Sequence, residues 1–413
     1  MKKIIVIGGG AAGLMAAIHA AKQGAQVTVL EKMNRVGKKM LITGKGRCNI
    51  TNNADIPTII KNMTGNGKFL YSAIHQYSND DVVAFFHELG VPTKIERGGR
   101  IFPESDKAAD VVGAMLRALH RLNVSILTEE AVAQMNIENQ KIVSVKTQAG
   151  KIYFADAVIL ATGGASYPGT GSTGDGYSLA EQVGHSIVEI RPSLVPLEVE
   201  EEWIKELQGL SLRNVRVTVF SGETKIGEDF GEMIFTHFGV SGPIILSLSK
   251  VVDQYLMKNK TVNLSINLKP ALTIEMLDKR IQRDFEKFSR KQIKNSLGEL
   301  LPAKLIDIVI DLSYIDPDKP IHQITKEERT RLIEVIMGLT ITITRTRPIA
   351  EAIVTTGGVN VREINPKTME SKLVENLYFA GEVIDIDGYT GGFNLQAAFS
   401  TGYIAGQSAA NDD

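Results

Sequence analysis

Three glycines near the start of the chain have the spacing that can bind a pyrophosphate. Gly8, Gly10 and Gly13 follow an apolar run at residues 4–7, and residues 14–21 after them have the composition of a helix. In such a strand–turn–helix unit, the glycines permit the tight turn, the approach of the backbone to the phosphates, and close packing of the helix on the strand. The helix N-terminus then presents unpaired N–H groups to an anion. The predicted phosphate-binding residues are Gly8, Gly10, Ala11, Ala12 and Gly13.

A carboxylate follows at the distance expected for a ribose ligand. Residues 27–30 form a second apolar strand, and Glu31 at its end lies 18 residues after Gly13. A carboxylate in this position can accept hydrogen bonds from ribose hydroxyls. The glycine spacing alone is weak evidence, but strand, glycines, helix, strand and acid in this order strongly favour a dinucleotide.

A run of basic, glycine and small polar residues comes next and suits a phosphate or the edge of a flavin. Glycine frees backbone N–H groups, while lysine and arginine supply charge. The alternative is a solvated basic loop. The candidate cofactor-binding residues of this run are Lys32, Gly37, Lys38, Lys39, Thr43, Gly44, Gly46, Arg47, Cys48 and Asn49.

The single cysteine, Cys48, has two possible roles. Arg47 beside it could lower the thiol pKa and make it reactive. A small residue that packs against the cofactor is the favoured interpretation. One cysteine can form neither an internal disulfide nor a CxxC pair, which excludes dithiol redox chemistry and suggests a reducing compartment.

Residues 43–52, TGKGRCNITN, together with GGGAAG at residues 8–13, resemble the YhiN/BaiN-like flavoproteins, the aminoacetone oxidase family of FAD-dependent enzymes. That family more often has SGGGRCN here, so Thr43 and Lys45 are departures, and Lys45 adds a charge near the expected flavin. Residues 236–243, THFGVSGP, are similar to the family's THxGxSGP run, and ATGG at residues 161–164 is a motif of two-dinucleotide-binding-domain flavoproteins.

The resemblance implies one non-covalent FAD per chain, with hydride transfer between flavin N5 and a small organic substrate. It places the main chain at Val132 against the adenine. A strand, a Gly-acid turn and a helix start near the C-terminus suit the ribityl chain and the pyrimidine ring, whose O2 can accept from backbone N–H groups. The residues concerned are Ala161, Thr162, Gly163, Gly381, Glu382, Asp385, Gly391, Gly392, Phe393, Asn394 and Leu395.

Catalytic side chains beyond the flavin itself are not identified, and no metal site is expected. Arg100 and His237 are the substrate-side candidates. Arg100 could face a ligand or pair with a nearby carboxylate. His237 could touch substrate, although a hydrogen-bonded structural histidine is favoured.

At the C-terminal helix, replacing Gly392 by valine is expected to lower the flavin midpoint potential while FAD remains bound, because the backbone could no longer approach the flavin.

Hydrophobic periodicity predicts the elements that must position these residues. The expected helices are residues 69–89, 108–122, 177–183 and 397–409, with helical spacing across 273–339. The expected strands are residues 124–127, 142–147, 151–154, 157–160, 215–220, 225–230, 232–235, 261–268, 340–346, 352–359 and 376–380. Two prolines in residues 191–196 predict a linker.

The fold class is therefore α/β. We expect a doubly wound Rossmann-like FAD domain of the two-dinucleotide-binding-domain type, with an inserted β-barrel-like domain and a helical subdomain. The expected boundaries are residues 1–195 and 346–413 for the split FAD domain, 196–271 and 339–345 for the β-rich insertion, and 272–338 for the helical subdomain.

Composition disfavours membrane and nucleic-acid partners. The 413 residues carry a net charge of −1, so no global field attracts nucleic acid or an anionic membrane. No apolar stretch reaches the 18 residues or so of a membrane span, and the cytoplasm is the expected location. Residues 279–294 hold seven basic and two acidic residues, interpreted as a solvated helix face. The oligomeric state is left open.

Several functions remain open at this point. With one G-x-G-x-x-G, NAD(P)H could only visit the flavin transiently, as co-substrate for reduction of a C=C or C=N bond. The alternatives are oxidation of an amine by O2, an RNA-modifying flavoprotein suggested by the basic helix, and a flavin sensor without turnover. Neither the substrate nor the choice between NADH and NADPH follows from the sequence.

Overall fold

The computed structural model of the chain describes residues 1–411 and divides into two compact units. The first unit comprises Met1–Ser193 and the chain from Ala352 onward, and the second comprises Leu194–Glu351. The chain therefore leaves the first unit once and returns to it once.

The helices and strands of both units are numbered in chain order. The helices are α1 Ala11–Lys22, α2 Lys38–Gly46, α3 Ile56–Lys61, α4 Tyr71–Gln76, α5 Asn79–Glu88, α6 Ala108–Arg121, α7 Asp175–Gln182, α8 Pro243–Leu256, α9 Ile274–Lys287, α10 Ala303–Leu312, α11 Lys326–Met337 and α12 Phe393–Ala410. The strands are β1 Lys3–Ile7, β2 Gln26–Glu31, β3 Thr51–Asn52, β4 Thr93–Glu96, β5 Arg100–Pro103, β6 Ser125–Thr128, β7 Val132–Glu138, β8 Lys141–Thr147, β9 Ile152–Phe154, β10 Ala157–Leu160, β11 Ile187–Ser193, β12 Leu197–Val199, β13 Ser211–Ser221, β14 Thr224–Phe235, β15 Gly239–Ser241, β16 Val262–Asn267, β17 Leu339–Thr346, β18 Val354–Val359 and β19 Leu377–Phe379.

The first unit is built on a parallel sheet of five strands in the order β19-β10-β1-β2-β6. Its central strand β1 pairs with β10 on one side and β2 on the other, and its residues 4–7 are all buried. Burial on both faces explains the uninterrupted apolar run. The carboxyl ends of the strands meet at one edge, which brings together Gly8, Glu31 and Ala161. The predicted Rossmann-like α/β fold is confirmed.

Helices α1 and α12 pack closely because two glycines on α12 have no side chain. A Cβ at Gly402 would lie 2.4 Å from the carbonyl oxygen of Ala12, and one at Gly406 would lie 2.3 Å from that of Ala16. Since backbone atoms cannot move aside as a side chain can, these positions require glycine. This packing fixes α12 against the helix that follows the glycine turn.

The second unit contains a closed six-stranded barrel in the order β12-β15-β14-β13-β16-β17. Its interior is continuous with side chains of the neighbouring helices, so that Val217 and Leu264 from strands share one core with Leu277 and Val309 from helices. The predicted barrel-like insertion is thus present. The predicted strands 225–230 and 232–235 form a single strand, β14.

The predicted helix at residues 69–89 is wrong as one element. A 3-10 turn and α4 end at Gln76, and α5 begins at Asn79. Ser78 accepts from the Asp81 N–H, and the Asp81 carboxylate accepts from the Ser78 N–H. This capping box starts a new helix in the middle of the apolar pattern.

The predicted linker at residues 191–196 is also wrong for its first half. Arg191, Pro192 and Ser193 belong to β11, which pairs antiparallel with β18. Prolines exclude a helix but tolerate extended backbone at an edge. The predicted strand at residues 352–359 forms β18 and pairs with β11 in the first unit, within the stretch assigned to the split FAD domain.

Three helices, α2, α3 and α8, were not predicted at all. Helix α2 covers the basic run and is kinked at Thr43, Gly44 and Lys45, whose backbone angles are not helical. Helix α8 follows directly after the THFGVSGP run. In α2 the glycines and the short length hide the helical pattern, and in α8 the strand-like Ile and Val residues do so.

A buried histidine joins the end of α7 to the segment before β19. His185 Nδ1 lies 3.1 Å from Glu363 Oε2, and its Nε2 lies 2.8 Å from Ser371 Oγ. Ser371 Oγ also accepts from the N–H groups of Leu373 and Val374, so its hydroxyl proton is left to donate to Nε2. The imidazole is therefore neutral, with its proton on Nδ1 facing the carboxylate. Burial lowers the pKa of His185, and Glu363 opposes that shift without reversing it.

We expect the free energy of unfolding to decrease as the pH falls through about 6.5, the usual pKa of histidine. The unfolded chain binds a proton there that the folded chain does not, so the slope reaches at most about 1.4 kcal/mol per pH unit for this group. Urea unfolding between pH 5 and about 8 measures it. His185→Gln should flatten that slope, and exposed His87→Gln should not. An unchanged slope in the His185 variant would contradict this assignment.

Candidate cofactor and active site

The glycine turn at the end of β1 is closed on two sides by main-chain atoms. Gly8 has φ +105°, and a Cβ there would lie 2.5 Å from the carbonyl oxygen of Ala161. At Gly13 a Cβ would lie only 1.9 Å from the carbonyl oxygen of Gly8. Both positions therefore require glycine for the turn itself, as the spacing indicated.

Gly10 is different, because the space beside it is open. A Cβ at Gly10 would have no atom within 4 Å, and its φ of −84° is accessible to any residue. Gly10 precedes α1, whose first intrahelical bond joins the Leu14 N–H to the Gly10 carbonyl at 2.9 Å. The N–H groups of Ala11, Ala12 and Gly13 thus lack intrahelical acceptors. An open cradle with these donors fits the pyrophosphate of FAD.

Glu31 ends β2 with its carboxylate turned towards the glycine turn. Its Oε2 accepts from the Gly9 N–H and its Oε1 from the Met33 N–H, both at 2.8 Å. A carboxylate offers about four acceptor positions, so two bonds hold it in place and leave capacity for ribose hydroxyls. The glycine turn and the acid form one hydrogen-bonded unit.

The predicted adenine position lies directly beside Glu31. The N–H of Glu129 donates to the Met33 carbonyl at 3.1 Å, and that of Glu130 donates to the Glu31 carbonyl at 3.0 Å. These bonds bring the start of β7, at Val132, to the same edge of the sheet as the presumed ribose ligand.

Two lysines of the basic run, Lys32 and Lys39, are paired within the fold. Lys39 Nζ lies 2.7 Å from Glu382 Oε2 and 2.8 Å from the hydroxyl of buried Ser166. Lys32 Nζ lies 2.5 Å from Asp175 Oδ2. The Lys39–Glu382 pair joins the N-terminal basic run to the Gly-acid turn after β19, so two predicted FAD segments meet.

Arg47 makes its contacts away from the glycine turn. Its guanidinium lies 2.8 Å from Glu96 and 3.2 Å from Asp106 and stacks 4.0 Å from the centre of the Phe102 ring. These contacts fasten the end of α2 to the β4–β5 hairpin. Lys38, Gly37 and Gly46 lie in or next to the same helix.

Cys48 is fully buried in a left-handed backbone conformation, with φ +63°. Burial raises the pKa of its thiol to about 12, although a hydrogen bond with Thr43 opposes the shift. Because the guanidinium of Arg47 is bound to carboxylates, it does not activate the thiol. The structure agrees with the packing role.

We expect Cys48→Ser to keep bound FAD and most of the turnover, since the thiol is neutral and has no chemical role. The native protein should also react slowly with a thiol reagent at pH 8, where a group with a pKa of about 12 is almost entirely protonated. Loss of turnover with FAD still bound would contradict this expectation.

Two other predicted flavin segments follow strands β10 and β19 of the same sheet. Ala161 follows β10 and donates its N–H to the Ile7 carbonyl at 2.9 Å, and Thr162 and Gly163 continue from it. After β19, the Gly381 N–H donates to Thr401 Oγ1 at 2.9 Å. Asp385 accepts from Asn66 Nδ2 at 2.9 Å.

Helix α12 begins at Phe393, four residues before the predicted start. The N–H groups of Phe393, Asn394 and Leu395 have no intrahelical acceptor, and the helix dipole places partial positive charge there. The Asn394 side chain is fixed by Gly388, accepting from its N–H at 2.8 Å and donating to its carbonyl at 2.7 Å. This helix start can bind a carbonyl oxygen or an anion.

The expectation for Gly392 requires a correction. Its φ is +99°, and a Cβ would lie 2.3 Å from the carbonyl oxygen of Thr51. Its nitrogen lies 2.9 Å from the side-chain amide of Asn49. Gly392→Val would therefore displace β3 whatever the flavin does, so a changed midpoint potential would not report on the flavin contact alone. Gly391 has φ +129°, and a Cβ there would meet the ring of Phe393 at 3.0 Å.

The two substrate-side candidates lie in different units. Arg100 is exposed on the β4–β5 hairpin of the first unit and donates from Nε to the Arg97 carbonyl at 3.0 Å, not to a carboxylate. His237 is exposed in the second unit, with its ring centre 5.0 Å from that of Phe238. Exposure does not match the favoured interpretation of His237 as a hydrogen-bonded structural histidine.

Sequence reasoning missed three polar residues that hold the site together. Asn52 bridges the β4–β5 hairpin to Gly391, Ser166 binds Lys39, and Asp175 binds Lys32. Asn52 belongs to the TGKGRCNITN run, but its partners Gly98 and Gly391 are distant in sequence, as Lys32 is from Asp175. In residues 1–411 there is no cluster of metal-ligating side chains and no helix long and apolar enough to cross a membrane.

A family model described as "HI0933-like protein Rossmann domain" matches residues 2–408. A 3-dehydro-bile acid delta(4,6)-reductase of Clostridium scindens is 34% identical over 412 residues, covering 99% of both chains. A ribosomal RNA dihydrouridine synthase of Haemophilus influenzae is 34% identical over 409 residues, covering 98% of this chain and 97% of the relative.

Solved structures show the same fold at low identity. A 3-ketosteroid delta1-dehydrogenase from Sterolibacterium denitrificans superposes with a TM-score of 0.56 at 12% identity and covers 99% of this chain and 100% of that one. The 3-ketosteroid-delta4-(5alpha)-dehydrogenase from Rhodococcus jostii gives 0.53 at 15% identity, with 100% and 97% covered. The match over nearly the whole chain confirms the resemblance to the YhiN/BaiN-like flavoproteins: the chain belongs to the HI0933-like family and is a flavin-dependent oxidoreductase.

Proposed function

We propose that the chain uses FAD to reduce a carbon–carbon double bond conjugated to a carbonyl group in a small organic substrate, with NAD(P)H as a transient electron donor. The observation that carries the cofactor part of the proposal is the presence of three features in the first unit: the open cradle at Gly10, the fixed carboxylate of Glu31 and the N–H groups at the start of α12. The relatives named as a delta(4,6)-reductase and a dihydrouridine synthase support the reaction type, since both names describe saturation of a double bond.

Each group of proposed binding residues would contact a different part of FAD. Residues 10–13 would hold the pyrophosphate, Glu31 the adenosine ribose, and the main chain at Val132 the adenine. Lys39 and Glu382, already paired at 2.7 Å, would line the ribityl side. When bound there, FAD would supply a two-electron acceptor and donor at N5.

The start of α12 would tune this chemistry through charge. Its unpaired N–H groups and dipole stabilise negative charge by about 0.3–2 kcal/mol at a helix N-terminus. No acidic residue lies in the first turn of α12 to cancel that effect. Negative charge on the pyrimidine side of a flavin would therefore be favoured in this position.

The nicotinamide donor is proposed as a visitor because the second unit is a barrel with helices and not another nucleotide-binding sheet. The test is anaerobic mixing of the holoprotein with NADH or NADPH, followed by an enone. We expect one nucleotide to bleach the flavin absorbance and the enone to restore it. Bleaching by an amine with subsequent oxygen consumption, and by neither nucleotide, would support the alternative of an amine oxidase. Bleaching by no donor would support a flavin sensor.

A second candidate function is reduction of a base in RNA, favoured by the relative named as a ribosomal RNA dihydrouridine synthase. The basic stretch at residues 279–294 offers limited support, because Arg280, Lys287 and Lys294 are paired with Asp284, Glu299 and Asp318. Co-purified RNA, released by salt, together with reduction of uridine in an rRNA fragment, would favour this function over the first.

A further inference from the structure

The hairpin between β4 and β5 carries two arginines at its tip, Arg97 and Arg100. Both side chains are exposed, and within residues 1–411 neither is paired with a carboxylate. Arg100 Nε donates to the Arg97 carbonyl at 3.0 Å, which holds the guanidinium over the turn and leaves its terminal NH2 groups available. The tip presents two cations without an internal anion.

The carboxylates nearest the tip are already bound by other cations. Glu96 is the cross-strand neighbour of Arg100, but its two oxygens accept from Arg47 at 2.8 and 3.3 Å. Asp106 is bound by Lys94 at 2.5 Å and by Arg47 at 3.2 Å. Both carboxylates are thus bound by Arg47 or Lys94, and neither binds the two arginines at the tip.

The tip is also rigid. Gly98 and Gly99 have φ of +79° and +72°, which allows a tight turn closed by the Gly99 N–H to the Glu96 carbonyl at 3.1 Å. The Asn53 N–H donates to the Gly99 carbonyl at 2.7 Å. These bonds fix the backbone that carries the two arginines, so ordering of the turn costs little when a ligand binds.

One side chain ties the tip to the start of α12. Asn52 Nδ2 donates to the Gly98 carbonyl at 3.0 Å and to the Gly391 carbonyl at 2.9 Å. Gly391 lies two residues before α12 begins at Phe393, the helix start that would face the flavin pyrimidine. The turn that carries both arginines is thus joined to the segment that would face the flavin pyrimidine, whereas Glu31 is bonded to the glycine turn.

We propose that Arg97 and Arg100 anchor an oxyanion of the substrate, a carboxylate or a phosphate group, and so restrict the enzyme to acidic substrates. Guanidinium groups bind such planar or tetrahedral oxyanions through paired N–H donors. Two arginines on one turn match a single group, whereas a nucleic-acid backbone is bound by cations spread over several phosphates. The proposal rests on the proposed enone reduction.

The test uses the holoenzyme and matched probes, 4-oxopent-2-enoate and its neutral methyl ester, with dissociation constants read from the perturbation of the flavin absorbance. The wild type should bind the acid at least about tenfold more tightly than the ester, given the strength of hydrogen bonds between charged groups. Arg97→Gln/Arg100→Gln should lose this preference and keep the affinity for the ester. Arg97→Lys/Arg100→Lys should keep part of it. Arg121→Gln, an exposed arginine at the end of α6, is the control.

Inorganic phosphate, added as a competitor, tests which oxyanions the arginines bind. If phosphate displaces the acid, the arginines bind both phosphate and carboxylate groups. If it does not, they bind carboxylates alone. Equal affinity of the wild type for acid and ester, including no binding of either, would overturn the proposal, as would an acid preference that survives in the glutamine variant. Arginine-dependent binding of an rRNA fragment without any acid preference would overturn it in favour of RNA. Binding is measured without turnover. The acid preference can therefore be determined even if the enzyme does not reduce enones, and failure of one proposal is distinguishable from failure of the other.

Discussion

Gly10→Val should abolish FAD binding by a chain that still folds. The space beside Gly10 is open, and its backbone angles suit valine, so the folded chain tolerates the side chain. The isopropyl group would occupy the cradle in which the pyrophosphate approaches the first N–H groups of α1. Losing two charge-assisted hydrogen bonds of about 1.5–3 kcal/mol each weakens binding by at least about 100-fold.

The measurement is titration of the apoprotein with FAD, together with circular dichroism and urea unfolding of the apoprotein. We expect valine to lower the stability of the apoprotein by only about 1 kcal/mol, the usual cost of a poor N-cap residue. Gly298→Val is the matched control, because Gly298 also has no atom within 4 Å of a Cβ and lies in the second unit. Normal FAD affinity in the Gly10 variant would mean that the pyrophosphate lies elsewhere.

Glu31→Ala should weaken FAD binding by about 10- to 150-fold, the range for loss of one hydrogen bond to a charged group. The structure adds a second reason, because the N–H groups of Gly9 and Met33 lose their acceptor. The glycine turn would then be less ordered in the apoprotein. FAD binding would have to order the turn, and this entropic cost would account for part of the lost affinity.

Glu31→Gln separates the two contributions. Glutamine keeps one oxygen acceptor for a backbone N–H but removes the charge, so its affinity should fall between those of the wild type and the alanine variant. Glu181→Ala, an exposed glutamate on α7, serves as the control. A dissociation constant for FAD that does not change in either Glu31 variant would refute the ribose role.

Local patterns predicted the parts of the fold that local forces determine. The strand β1, the glycine turn, α1 and β2 follow from burial on both faces and from the steric need for glycine at Gly8 and Gly13. The short strands with alternating apolar residues predicted a β-barrel-like domain, and the structure contains a closed barrel. The predictions that failed, at residues 69–89 and 191–196, lie where a capping box or a distant strand partner outweighs the apolar pattern.

The sequence alone identified the family and the flavin-dependent oxidoreductase class, from a glycine turn followed by an acidic residue and from small residues at strand and helix ends. Only the tertiary structure decided which polar groups are available. It pairs Arg47 with Glu96 and joins Lys39 to Glu382 across 343 residues of chain, and among residues 1–411 it leaves Arg97 and Arg100 without a carboxylate. It also places the Thr51 carbonyl oxygen where a side chain at Gly392 would lie. Such contacts join residues far apart in sequence, and their strength depends on distances and burial that exist only once the chain has folded.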